Sequence, residues 1–152
     1  MKEIYYTYNN EAIASCVFLI YLQEAKKVDI ARSCLLLPLL LDDRTVDYLN
    51  NIIYDDYDSL ESIIKKKPHL FASFNQRYLS LLPVTINSLV ILNKNQQIQI
   101  LSNKILTKTD FIYGKIDMGK RFEKIKNVIP FVVYIFSRYS TMRLYKLLNI
   151  QL

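Results

Sequence analysis

Few side chains in this sequence have the type and spacing that chemistry requires. His69 is the only histidine, and it stands beside Pro68. A zinc site needs several Cys, His or carboxylate ligands at set spacings, and His69 has no such company. Cys16 and Cys34 each lie inside an apolar stretch. Reduced, buried thiols are expected there, because a free cysteine packs as a small hydrophobe. There is no Cys-x-x-Cys pair, no nucleophile elbow around a Ser or Cys, and no G-x-x-x-x-G-K loop. The acidic stretch YDDYDSLE (54–61) lacks the central glycine and the ligand at position twelve that a calcium loop needs. Its Asp58 and Glu61 have capping-box spacing instead, which predicts a helix start. No catalytic set, metal site or cofactor site is therefore expected, and catalysis by this chain alone is not.

One segment has the composition of a binding face. GKRFEKIK (119–126) interleaves Lys120, Arg121, Lys124 and Lys126 with Phe122 and Ile125. The apolar pair lies three apart, so on a helix the cations fall on the opposite, wet side. Such a face suits DNA phosphates or an acidic partner, and equally an ordinary solvated surface. The wider charge balance is uneven. Residues 1–62 hold five Lys/Arg against eleven Asp/Glu, and residues 63–152 hold fifteen against three, which together give the net +6. A split of this kind suits an acidic face for one partner and a basic face for another.

The elements that position these residues are mostly helical. With 152 residues, 51% of them hydrophobic and only two glycines, the chain is expected to form one domain over 1–152 with few tight turns. Its longest apolar stretches, 12–22, 34–41 and 129–136, are shorter than the roughly 18–20 residues of a membrane-spanning helix. No basic segment precedes the first of them, which argues against a signal peptide and for a cytoplasmic location. Asn9 or Asn10 in YNNEA can cap a helix running to about Lys26. The element over 28–41 reads as a helix from about Ile30 that kinks or ends near Pro38, with a strand as the minor alternative. Asp42 or Asp43 caps a third helix with Val46, Leu49, Ile52 and Ile53 on its apolar side. Leu70, Phe71, Phe74, Tyr78 and Leu81 mark one stripe of a further helix, and Pro83 opens the next, which carries Ile86, Leu89 and Val90. VILNKNQQIQIL (90–101) reads as a β-hairpin bent at Asn93–Gln96. Helical spacing returns over 118–152, interrupted at Pro130, with Ser140 capping a last helix. The fold class is thus mainly α, with one hairpin. The helix–helix–hairpin order around 69–101 resembles a winged helix, whose recognition helix would be 84–92. That segment has no Arg or Lys, only Thr85, Asn87 and Ser88 as polar residues, so protein contact suits it better than base readout.

Four blocks occur in order: Asn10-Glu11-Ala12 opening an apolar helix, LLLPLLLDDRT (35–45), FNQRYLSLLPVTINSL (74–89), and STMRLYKLLNIQL (140–152). Together they resemble the middle component of three-component ABC-ATPase systems, the group that includes the small subunit of Lamassu-type bacterial defence systems. Asn149 stands where that pattern prefers glycine, and Leu152 where it prefers proline. The resemblance implies a non-enzymatic subunit without cofactors. It would bridge an ATPase of the structural-maintenance-of-chromosomes (SMC) type to an effector, often a nuclease, held inactive until foreign DNA is sensed. Whether this chain would itself touch DNA in the complex stays open. The apolar load for this size is expected to exceed what one chain covers, so some leucines should meet partners. Leu36, Leu37, Leu40, Leu147, Leu148 and Ile150 are the expected contacts, with Lys120, Arg121, Lys124 and Lys126 as a second, charged face. The other reading is a small winged-helix DNA-binding regulator.

Overall fold

The computed structural model of the chain describes residues 9–52, 59–108 and 118–152. Asn10 starts the first helix, α1 (Glu11–Ala25), by accepting from the backbone N–H groups of Ala12 and Ile13 at 3.0 and 3.3 Å. Every residue from Val17 to Leu22 is buried, so α1 is covered on all sides, as its unbroken apolar run requires. Lys26, at φ 70°, turns the chain into β1 (Lys27–Asp29).

The leucine run forms two short helices, α2 (Ile30–Ser33) and α3 (Leu36–Leu40). The expected kink at Pro38 is not where the chain breaks. The break falls at Cys34–Leu35, and Pro38 is the third residue of α3. An N–H in that first turn has no carbonyl partner within the helix, so proline costs little there. Asp42 caps α4 (Asp43–Ile52), accepting from the Thr45 N–H at 3.2 Å and from its hydroxyl at 2.6 Å. Val46, Leu49 and Ile52 are buried as expected, whereas Ile53 lies outside the described residues. So do residues 54–58 of the acidic stretch, including Asp58. The cap of α5 (Leu60–Lys66) is Ser59, one residue later than expected, accepting from the Ser62 N–H. Pro68 opens α6 (Pro68–Phe71), a separate short helix, so Leu70 and Phe71 do not share one helix with Phe74, Tyr78 and Leu81 as expected.

Two expected helix boundaries are absent. α7 (Phe74–Lys94) runs straight through Pro83, and α8 (Lys120–Ser137) runs through Pro130. An interior proline costs a helix about 3 kcal/mol. Both prolines are exposed, while Leu81 and Val84 beside the first, and Val128, Ile129 and Val132 around the second, are buried. Each buried side chain contributes about 1.5–3 kcal/mol. The inner faces therefore outweigh the prolines on the outer ones.

A continuous α7 removes the winged-helix layout. The segment 84–92 is the second half of one long helix and not a separate recognition helix. Its Thr85 and Ser88 hydroxyls are fully buried, with no hydrogen-bond partner among the described residues. Neither is available to a base edge. The hairpin is also displaced. Asn93–Gln96 ends α7 in a Schellman motif, with Gln97 N–H on Leu92 O at 3.0 Å, Gln96 N–H on Asn93 O at 3.1 Å, and Gln96 at φ 59°. The strands are β2 (Ile98–Leu101) and β3 (Lys104–Thr107), joined by Ser102-Asn103 with Ser102 at φ 56°. β3 is the centre of an antiparallel sheet ordered β1-β3-β2. Val28 and Ile100 both pair with Ile105, which puts them on one face together with Ile98. Val28, Ile98 and Ile105 are buried there.

Ser140 caps α9 (Thr141–Leu147) as expected, accepting from the Arg143 N–H. Asn149, at φ 59°, closes a second Schellman motif, with Ile150 N–H on Tyr145 O and Asn149 N–H on Lys146 O. Asparagine tolerates this left-handed conformation in place of glycine. Met142 is 70% exposed, and Leu144 is the residue of α9 that enters the core.

A polar clamp holds α9 to α2. Asp29 accepts from the Arg32 N–H at 2.7 Å and from the Thr141 hydroxyl at 2.6 Å. Arg32 donates to Thr141 Oγ1, Phe136 O and Tyr139 O. Tyr145 donates to Ala31 O and meets the Tyr78 ring edge-on, centroids 5.8 Å apart. Burial pushes the Tyr21 phenol up to about 12 from 10.0, with Arg32 opposing and Asp29 adding to the shift. Burial, then the Tyr78 hydroxyl, also raises Tyr145. Both folded values lie above the unfolded one. The stability tied to these phenols is therefore complete below pH 10 and lost as pH rises through about 12. An ultraviolet phenolate titration is expected to show Tyr21 and Tyr145 ionising above the ordinary phenol value of 10.0, with unfolding by strong alkali releasing them together.

Candidate functional site

The basic segment forms the first turns of α8, and α4 lies across from it. Gly119, at φ 88°, precedes the helix without a side-chain cap. Arg121 Nε reaches Asp43 Oδ1 at 2.8 Å, and its second nitrogen donates to Asn9 Oδ1 at 2.7 Å and to Leu41 O at 3.1 Å. Lys124 Nζ meets Asp47 Oδ1 at 2.9 Å. Asn50 of α4 ties in further by donating to Lys124 O and Val46 O. Asp43 and Asp47 are four apart and Arg121 and Lys124 three apart, so each pair stands on one helix face and the two faces interlock. Asp43, Val46, Asp47, Lys120, Arg121 and Lys124 line a cleft of about 290 Å³.

This arrangement changes the meaning of the four expected cations. Arg121 joins three segments of the chain, and Lys124 already holds a carboxylate. Lys126 lies roughly 200° further round the helix than Lys124 and is half-buried. Lys120 alone of the four is an exposed cation without an ion pair among the described residues. The four do not make one free basic face. The seam fixes α4 against α8, and its outer pair, Lys124 with Asp47, is more than half exposed and so contributes little.

The expected partner leucines lie elsewhere too. Leu36, Leu37 and Leu40 are 0% exposed and Leu148 is 1% exposed, which places them inside the core and offers no surface to a partner. Leu147 and Ile150 are half-buried and pack against the same core. The run LLLPLLL is apolar on every side because every side is covered.

Among the described residues, α7 carries four exposed large apolar side chains, Leu79, Ile86, Val90 and Ile91, while Leu101, Met118, Tyr134, Met142 and Leu152 are exposed elsewhere. Leu79, Ile86 and Val90 are 54%, 51% and 43% exposed, and Pro83 lies exposed between them. Their spacing of four, three and four puts them in one stripe, roughly 16 Å long at 1.5 Å per residue. Ile86 and Val90 were expected on the buried side with Leu89, and only Leu89 is there. The stripe was readable as a heptad spacing, but the buried residues of the same helix repeat with a helical period as well. Which of two apolar stripes faces water is a tertiary outcome.

The four sequence blocks converge in space. Asn87 donates to Glu11 Oε1 at 3.2 Å, Arg77 to Pro38 O at 3.0 Å, and Gln151 N–H to Asn75 Oδ1 at 3.0 Å. Tyr78 and Tyr145 meet as above. Each block therefore holds another in place. The described residues bring no three His, Cys, Asp or Glu side chains together as a metal site, and none of their helices is long and apolar enough to cross a membrane.

The described residues form a mainly helical fold with a small antiparallel sheet and a stripe of exposed apolar side chains on α7. The model of the Middle Component 3 family of ABC-three component (ABC-3C) systems matches residues 2–152, and the chain belongs to that family. No curated protein and no solved structure matches it significantly.

Proposed function

We propose that this chain is the non-catalytic bridging subunit of a Lamassu-type bacterial defence complex. It links an SMC-like ABC ATPase to an effector nuclease and helps hold that nuclease inactive until foreign DNA is sensed. The observation that carries this reading is the family match over 2–152, since a middle component works with the other components of its system. The fold supports it through the uncovered stripe on α7. The test is co-expression of the three components with one tagged. The ATPase and the effector are expected to co-purify in the presence of this chain and to separate in its absence, with nuclease activity rising when it is omitted. Equal association of the two without it would overturn the reading.

A further inference from the structure

We propose that the outer stripe of α7, Leu79-Pro83-Ile86-Val90, is the seat of an α-helix from another component of the system, one with an apolar seam at heptad spacing and uncharged flanks. The proposal rests on the bridging reading and names where on this chain one bridge end lies. Three observations select this occupant. The four-three-four spacing is the a/d spacing by which two helices pair with a left-handed supercoil, and a strand or an irregular loop would not match it. Gln76 and Asn93, exposed and polar, stand one heptad step beyond the stripe at either end. The seat is therefore about three helical turns long and bounded.

Charge makes the second selection. No Asp, Glu, Lys or Arg occurs from Tyr78 to Asn93, although the chain as a whole carries +6. Ser80 and Asn87 flank the stripe. α7 itself offers a charged flank on the partner no counter-charge here, and the Glu11 carboxylate beside the stripe already accepts from Asn87, so a neutral flank fits best.

Size makes the third. Four side chains are far fewer than the roughly 20–30 residues a side of a stable interface. Two copies of this chain paired stripe to stripe would be held by that contact alone. A component held to this one at further points does not face that limit. Pro83 adds a register mark, since it has no N–H to give the Leu79 carbonyl and a polar donor in the partner's seam can take it.

The test uses the co-expressed complex. Ile86→Glu places a charge in the middle of the stripe at a residue half in water, and circular dichroism and melting temperature are expected to match the parent. Co-purification with one other component is expected to fall at least tenfold. Met142→Glu, a charge on a different exposed apolar residue, is expected to leave it unchanged. The parent contact is expected to change little with added salt, because no charge pair carries it. A photo-crosslinker at position 86 is expected to join a helical segment of that component. If the parent co-purifies and Ile86→Glu does so equally, the seat is wrong while the bridging reading stands. If position 86 crosslinks only to a second copy of this chain, the occupant is wrong. If the parent joins no other component, both are overturned.

Discussion

Arg32→Ala is expected to lower the thermal unfolding midpoint by roughly 6–12 °C, from a loss of about 3 kcal/mol at 2–4 °C per kcal/mol for a chain of this size. Arg32 is 17% exposed and its partner Asp29 is 18% exposed, so solvent screens the pair only in part. The guanidinium spreads over three acceptors from the end of α8 and the start of α9: Phe136 O at 2.9 Å, Tyr139 O at 2.5 Å and Thr141 Oγ1 at 3.0 Å. Without it, two carbonyls and a carboxylate lose their donor or counter-charge. The main loss comes from leaving those groups uncompensated, which is why the low end of the range for breaking a buried pair applies. Arg32→Lys keeps the charge facing Asp29 but not the planar fork, and is expected to lose about half as much. A midpoint shift below 2 °C for Arg32→Ala would show that the clamp contributes little and that apolar packing alone seats α9.

The clamp also marks what a sequence reading reaches. Helix caps were legible at Ser140 and, to within one residue, at Asn10 and Asp42, because a cap is decided within three residues of chain. Arg32 was not, since its acceptors lie more than a hundred residues away. Pro83 and Pro130 misled in a different manner. Their local cost is real, but whether it ends a helix depends on how much the flanking turns bury, and that is set by elements far along the chain. The Asn93–Gln96 bend shows a third limit. A hairpin turn and a Schellman motif both need a left-handed residue after an apolar stretch, and only the next segment decides between them. The candidate site divides along the same line. GKRFEKIK was legible as basic, but its pairing with Asp43 and Asp47 was not, because those carboxylates stand more than seventy residues earlier. The three-residue β1 was legible only as a minor strand alternative over 28–41, since among the described residues its strand partner, β3, lies more than seventy residues along the chain.

Leu40→Ala separates core from interface at the leucine run. Leu40 is 0% exposed within α3, and Leu36, Leu37 and Leu39 around it are also buried. Replacing a fully enclosed leucine by alanine removes its transfer free energy and leaves a cavity, a loss of about 2–5 kcal/mol. The upper part of that range applies if the surroundings cannot close in. α3 is pinned from outside through the Pro38 carbonyl, which accepts from Arg77 Nε at 3.0 Å, so its backbone has little freedom to collapse toward the gap. For a chain of this length the expected drop in melting midpoint is roughly 4–20 °C, measurable by calorimetry. A docking residue would behave in the opposite manner. Its truncation would leave the isolated chain's melting point within about 0.5 kcal/mol of the parent and weaken only the complex. Ile86→Ala, on the stripe of α7, is expected to show that second pattern. The pair of variants measured side by side assigns each apolar surface to its role, and an unchanged melting point for Leu40→Ala would return the leucine run to the list of partner contacts.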